Sequence, residues 1–166
     1  MLTRRAGERG AVPGQDKSLD EITGEIVDAA FRLHKDIGPG LLESVYETML
    51  ARDLERRGLR AARQEVVPFD YDGLRFDNCL RVDLLVESRV VVEIKSVDHA
   101  QPIHRKQLLT YLRMLKLPVG LLINFGKPTL REGLQRIVDH LQPSASPALR
   151  VNQFSKDRVR RSNAPR

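Results

Sequence analysis

Three charged side chains interrupt two apolar runs between Arg81 and Ser96, RVDLLVESRVVVEIKS. Asp83 lies in the first run, and Glu93 and Lys95 lie in the second. Strand side chains alternate between faces, so Glu93 and Lys95 share one face while Val92 and Ile94 point to the other. A charge in a Val/Ile/Leu strand is costly to bury unless it is paired or binds something. Two carboxylates and a lysine on neighbouring strands are what metal-assisted phosphodiester hydrolysis needs. Carboxylate oxygens hold a hard divalent ion, the ion polarises phosphate and acidifies water, and the ammonium offsets developing charge. The backbone carbonyl of Ile94 is a further candidate ligand. The same residues also describe a half-buried ion pair of Asp83 or Glu93 with Lys95 or Arg81, and the loose D-x(9)-E-x-K spacing alone does not choose between the two.

Register decides whether the trio can converge. Directly opposed residues of an antiparallel pair share a face. A two-residue turn at Glu87-Ser88 opposes Asp83 to Val92 and separates the carboxylates. A three-residue connection, Glu87 to Arg89, or a bulge opposes Asp83 to Glu93. The chemistry requires the second arrangement.

The elements that must hold these residues follow from pattern. Ser18 and Glu21 form a capping box ahead of Ile22, Ile26, Ala29, Ala30 and Leu33 at helical spacing, and Gly38-Pro39-Gly40 ends that helix. A second helix follows with Leu42, Val45, Met49, Leu50 and Leu54 inward, and Glu43, Tyr46 and Glu47 near the edge of its stripe. EVVPFDYD, residues 65–72, reads as an edge strand because of Pro68. Asp72-Gly73 marks a hairpin into a strand from Leu74 to Val86, followed by a strand from Val90 to Ser96. Pro102 opens a helix to about Lys116, and PVGLLINF reads as a strand covered on both faces. Thr129 caps a last helix carrying Leu130, Leu134, Ile137, Val138 and Leu141. The order is α-α-β-β-β-α-β-α, an α/β fold of the mixed α+β kind with a four-stranded mixed sheet and flanking helices.

Composition narrows the class. A chain of 166 residues with 41% apolar residues suits one core. The single cysteine, Cys79, excludes a disulfide framework and a cysteine zinc cluster, reads as strand packing, and fits a reducing cytoplasm. No apolar run approaches the roughly 20 residues of a membrane span, so no membrane association is expected. The net charge of +6 is unevenly placed. Residues 1–17 carry four basic side chains against two acidic, and 143–166 carry six against one, which leaves 18–142 near neutral. Both ends lack hydrophobic periodicity and read as unordered tails, the second able to hold phosphate by counterion release. The histidines show no metal spacing, and only His104, beside Gln107, merits keeping.

At this point the chain resembles something specific. VDLLVESRVVVEIKS is similar to the catalytic hairpin of the PD-(D/E)-x-K nuclease superfamily, with Val82-Asp83 in place of Pro-Asp, and the order of elements resembles its restriction-endonuclease-like core. GPGLLESVYE (38–47), VDLLV, VEIKS, IHRKQLLTYLR and GLLINFG resemble, in that order, the bacterial GxxExxY proteins, with Gly40, Glu43 and Tyr46 in the named motif. The match spans about Leu19 to Leu141. The resemblance implies Asp83 and Glu93 as metal ligands, Lys95 as the group that orients or activates water, and Glu43 as an outer or additional ligand. It implies Mg²⁺ or Mn²⁺ as cofactor. Gln107 and Tyr111 fit a Q-x-x-x-Y element that holds substrate or the lysine. Arg105 and Lys106 depart from the acidic or small residues of that position and are candidate phosphate contacts.

The expectation is a metal-dependent nuclease acting on DNA or RNA, as monomer or homodimer. Two competitors stand beside it: an inactive nuclease-fold module that binds nucleic acid or protein, and a phosphoesterase acting on a small nucleotide. The near-neutral body favours the module, since a nuclease usually needs a basic groove. Arg63, Arg75, Arg81, Arg105, Lys106 and Arg113 are the side chains available to form one locally.

Overall fold

A computed structural model describes residues 17–140. The readings of 1–16 and of 141–166, Leu141 and the basic C-terminal tail included, lie outside the described residues.

Helix α1 (Leu19–Ile37) starts on the expected capping box: Ser18 Oγ accepts the Glu21 amide at 3.2 Å, and the Glu21 carboxylate accepts the Ser18 amide at 2.6 Å. Gly38 closes it at φ 78°, a value that glycine adopts without the steric penalty a Cβ brings. Helix α2 (Glu43–Arg56) is rotated from the expected stripe. Leu42 is 73% exposed and Val45 also faces out, while Tyr46, Glu47, Leu50, Ala51 and Leu54 are buried. Tyr46 sets that rotation. Its ring stacks on Phe125 at 4.3 Å, nearly parallel, and burying it outweighs burying Val45.

Strands β1 (Ala61–Tyr71), β2 (Leu74–Val86) and β3 (Val90–Lys95) form the meander, with β1 at one edge. The β1–β2 register shifts between Val67 and Phe69, where Pro68 has no amide to donate. Helix α3 (Pro102–Leu115) crosses over to β4 (Val119–Asn124), which is parallel to β3 and buried along its whole length. The last helix is corrected by the structure. α4 is only Leu130–Gly133, and Leu134–Val138 forms a fifth strand, β5, antiparallel to β4. The apolar spacing from Leu130 to Val138 fits a helix, but β4 otherwise keeps an open edge whose backbone groups need partners. Gly133 permits the change of direction, because a Cβ there would lie 2.1 Å from the Asn124 carbonyl oxygen. The five-stranded order is β1-β2-β3-β4-β5.

The sheet separates two apolar clusters. Val90, Val92, Ile94, Leu121 and Ile123 pack toward α1 and α2 with Tyr46 and Phe125. Val91, Leu122 and Ile137 pack toward α3 with Leu108, Tyr111 and Leu112. The β1–β2 hairpin outruns β3, which pairs with β2 only from Leu84 to Val86. Cys79 lies on this projecting part and is exposed, so it does not serve strand packing.

Candidate active site

The register is the one the chemistry requires. Val86 pairs with Val90 across the three-residue connection Glu87 to Arg89, followed by Leu85 with Val91 and Leu84 with Val92. Glu87 and Ser88 hold φ of 51° and 55°, the left-handed pair that turns a tight hairpin. One step further the ladder stops. At the place where it would oppose Glu93, the Asp83 carboxylate replaces the missing backbone bond: Oδ2 accepts the Ile94 amide at 2.8 Å. Face alternation also breaks there, since Leu84 and Val86 pack toward α1 and α2 while Val82 packs toward α3. The end of the hairpin thus opens at Asp83.

Glu93 is 4% exposed. Lys95 Nζ donates to its Oε1 at 2.7 Å, and its Oε2 is the one buried side-chain polar atom among the described residues without a hydrogen bond. Burial, then the charge of nearby Asp83, pushes the Glu93 carboxyl above its ordinary value. The Asp83 carboxyl is raised too, chiefly by burial, against the lowering effect of the Ile94 amide and Lys95. Burial opposes the Lys95 ammonium, but the hydrogen bond and charge of Glu93 outweigh it and the Lys95 pKa is raised. The pairing of Lys95 with a carboxylate, which spacing alone left open, is therefore present, and Arg81 takes no part in an ion pair among the described residues.

Glu43 is the first residue of α2, and its Oε1 accepts the amide of Ser96, next after Lys95, at 3.2 Å. It acts on the trio through its charge, which bears on Asp83, Glu93 and Lys95. Among the described residues no three carboxylate, imidazole or thiol groups gather round one point. Tyr46 explains the local geometry of α2: its hydroxyl donates to the Gly38 carbonyl at 2.6 Å and accepts the Leu41 amide at 3.2 Å. Ser96 Oγ donates to the Leu41 carbonyl at 2.6 Å, tying the same turn to the end of β3.

Gln107 and Tyr111 lie one turn apart on α3, and the Gln107 amide donates to the Tyr111 hydroxyl at 2.6 Å. α3 covers the face of β3 carrying Val91, the face that alternation assigns to Glu93 and Lys95. No hydrogen bond joins Gln107 or Tyr111 to the trio. Arg105 and Lys106 are exposed and outside any ion pair among the described residues. His104 Nδ1 accepts the Gln101 amide at 3.2 Å, a role at the helix end. Of the other basic candidates, Arg63 pairs with Glu47, Arg75 with Asp70 and Asp77, and Arg113 with Asp139.

Two residues were not anticipated here. Gln64 Nε2 donates to Glu47 Oε2 at 2.5 Å and to Asp83 Oδ1 at 3.4 Å. Glu47, 4% exposed, also accepts Arg63 Nε at 2.9 Å. A buried carboxylate one helical turn after Glu43 is a signal the sequence offered only in hindsight, through the E-x-x-x-E spacing.

The chain is thus a mixed five-stranded sheet between helical layers, with two carboxylates and a lysine where two strands part. The family model of the PD-(D/E)XK nuclease superfamily matches residues 20–137, and the chain belongs to that superfamily, with its restriction-endonuclease-like fold. Among solved structures, the crystal structure of SSO0001 is similar at a TM-score of 0.46 and 16% identity, over 89% of this chain and 73% of that one. No curated protein matches the chain. No helix of the described residues is long and apolar enough to cross a membrane.

Proposed function

We propose that the protein is a divalent-metal-dependent nuclease that hydrolyses phosphodiester bonds of DNA or RNA, and that it is a member of the GxxExxY branch of its superfamily. The observation that carries this reading is the buried, partnerless Glu93 Oε2 beside Asp83 and Lys95 at the opening of the hairpin. An all-oxygen donor set suits Mg²⁺ or Mn²⁺. Asp83 and Glu93 would hold the ion. The Ile94 carbonyl is a third donor, on the strand edge whose amide Asp83 already meets. The chemistry such an ion supplies is polarisation of the phosphate and acidification of water.

The chain's own residues do the rest. Lys95 places an ammonium at the attacking side and offsets charge that grows as phosphorus is attacked. Glu43 fixes the Ser96 amide and with it the end of β3, and its charge adds to the site's demand for a cation. Gln107 and Tyr111 brace each other in the middle of α3, and Arg105 and Lys106 near its start offer unpaired charge to the nucleic-acid backbone.

The test is a titration of Mg²⁺ and Mn²⁺ against wild type and Asp83→Ala, with single- and double-stranded DNA and RNA as substrates. Cleavage that needs the metal and disappears in a folded Asp83→Ala variant is the expected result. Cleavage that survives the substitution overturns the assignment, and absence of both cleavage and metal binding moves the reading to an inactive binding module.

A further inference from the structure

We propose that Gln64 is a positioning residue that holds Asp83 toward β3, acting as a strut between α2 and the opening hairpin. The strut rests on three connected facts. Gln64 spends both amide hydrogens on carboxylates, one on buried Glu47 of α2 and one on Asp83 of β2. It holds φ at 51°, a conformation that L side chains adopt at a penalty and that persists where surroundings over-determine it. It also stands at the one step of the β1–β2 ladder left unpaired between Arg63↔Leu84 and Glu65↔Val82, opposite Asp83 itself.

These facts describe one kink shared by two strands. β1 turns left-handed at Gln64 where β2 changes faces at Asp83, so the backbone no longer ties the strands together there. The amide replaces that tie. With Oδ1 held by Gln64 and Oδ2 by the Ile94 amide, neither carboxylate oxygen of Asp83 is left to rotate. Glu47 anchors the strut because its other oxygen is fixed by Arg63 and its side chain is buried. Glu43 and Glu47, one turn apart on α2, then act on the two diverging strands separately: Glu43 on β3 through Ser96, and Glu47 on β2 through Gln64. α2 sets the width of the opening.

The consequence for metal binding rests on the proposed role of Asp83, but the positioning itself is measurable without metal or substrate. The Ile94 amide donates to Asp83 Oδ2, so its hydrogen exchange reports whether Asp83 stays in place. Three proteins are compared: wild type, Gln64→Gly, which removes the amide and relieves the positive φ, and Gln64→Asn, which keeps an amide on a shorter stem and tolerates that φ. Gln64→Gly should melt no lower than wild type, yet exchange the Ile94 amide about tenfold faster, with the β3–β4 ladder amides unchanged. Its Mn²⁺ affinity, measured by calorimetry, should fall about tenfold, with Gln64→Asn intermediate. Unaltered Ile94 exchange in Gln64→Gly overturns the strut, and so does equal acceleration at Ile94 and along the β3–β4 ladder, which would mean general loosening. A wild type that cleaves no nucleic acid while Gln64→Gly selectively frees Ile94 upholds the strut and overturns only the nuclease reading.

Discussion

Lys95 and the two carboxylates it faces are held in a balance that a bound cation would resolve. Replacing Lys95 by Ala leaves both carboxylates, so metal binding should persist or tighten as a competing cation is lost. Turnover should drop about a hundredfold or more, the effect of deleting one preorganised charge. Cleavage assays and calorimetry on the one variant check this, and unchanged turnover would remove Lys95 from the mechanism. An inactive module predicts a different result: stability lost by about 3–5 kcal/mol, since the substitution strands a buried carboxylate, and no metal binding.

The raised carboxyls of Asp83 and Glu93 also set the sign of a pH effect. Between the unfolded and the raised folded value the native state binds more protons, so the stability these groups contribute falls as pH rises through that window. Metal-free protein should therefore lose stability at these two positions from the ordinary carboxylate range upward, and Asp83→Asn should flatten that loss and raise the metal-free melting temperature while abolishing metal binding. Thermal melts across pH in chelator, for wild type and Asp83→Asn, test the sign. A wild type whose Asp83-dependent stability grows with pH would contradict the assignment.

At the level of elements, the helix α2 and the turn before it form a clamp on β3. Tyr46→Phe keeps the ring on Phe125 but leaves the Gly38 carbonyl and Leu41 amide without the hydroxyl. The expected loss is about 1–3 kcal/mol of stability, together with lower activity, since Ser96 is fastened to the same turn. Chemical denaturation and a cleavage assay check both parts. Much of this layer was legible beforehand. The capping box, the Asp72-Gly73 hairpin, the edge position of the Pro68 strand and the parallel return of β4 each depend on local chemistry or chain connectivity that a sequence carries. What was not legible depends on tertiary partners. Tyr46 turns α2 because Phe125 is there to receive it, and Leu134–Val138 becomes a strand because β4 has an edge to fill. The three-residue connection, which places Asp83 across from Glu93, was one of two options in the sequence, and only the pairing of Val86 with Val90 in the folded sheet distinguishes it. Gln64 was invisible, since its importance lies in a backbone conformation and in two carboxylates from distant elements. Gly133→Ala offers a check on the β5 correction: with the added carbon 2.1 Å from the Asn124 carbonyl oxygen, expression of folded protein should collapse, whereas a helix continuing through this position would gain stability from alanine.

For the whole molecule, the site draws on helix α2, the meander and the crossover helix, so a ligand bound there should stabilise all of them together. At free Mn²⁺ about a hundred times its dissociation constant, the native state gains about 2.7 kcal/mol, visible as a single melting transition moving upward. A transition that splits in two would mean that the β1–β2 projection unfolds independently.

The short turn between β2 and β3 has a kinetic consequence as well. Asp83 and Glu93 are brought together by a local pairing across a short turn, while Glu43 reaches Ser96 across 53 residues and β4 reaches β3 only across the α3 crossover. Local contacts close early and distant ones late. The two carboxylates therefore meet in a nascent hairpin while water still surrounds them, and their mutual repulsion is felt only when the helices dock and shut the water out. Refolding measured with substitutions at Asp83 should show little change in the rate of forming the hairpin and a faster final step, because the chain then closes over a neutral group instead of a charge.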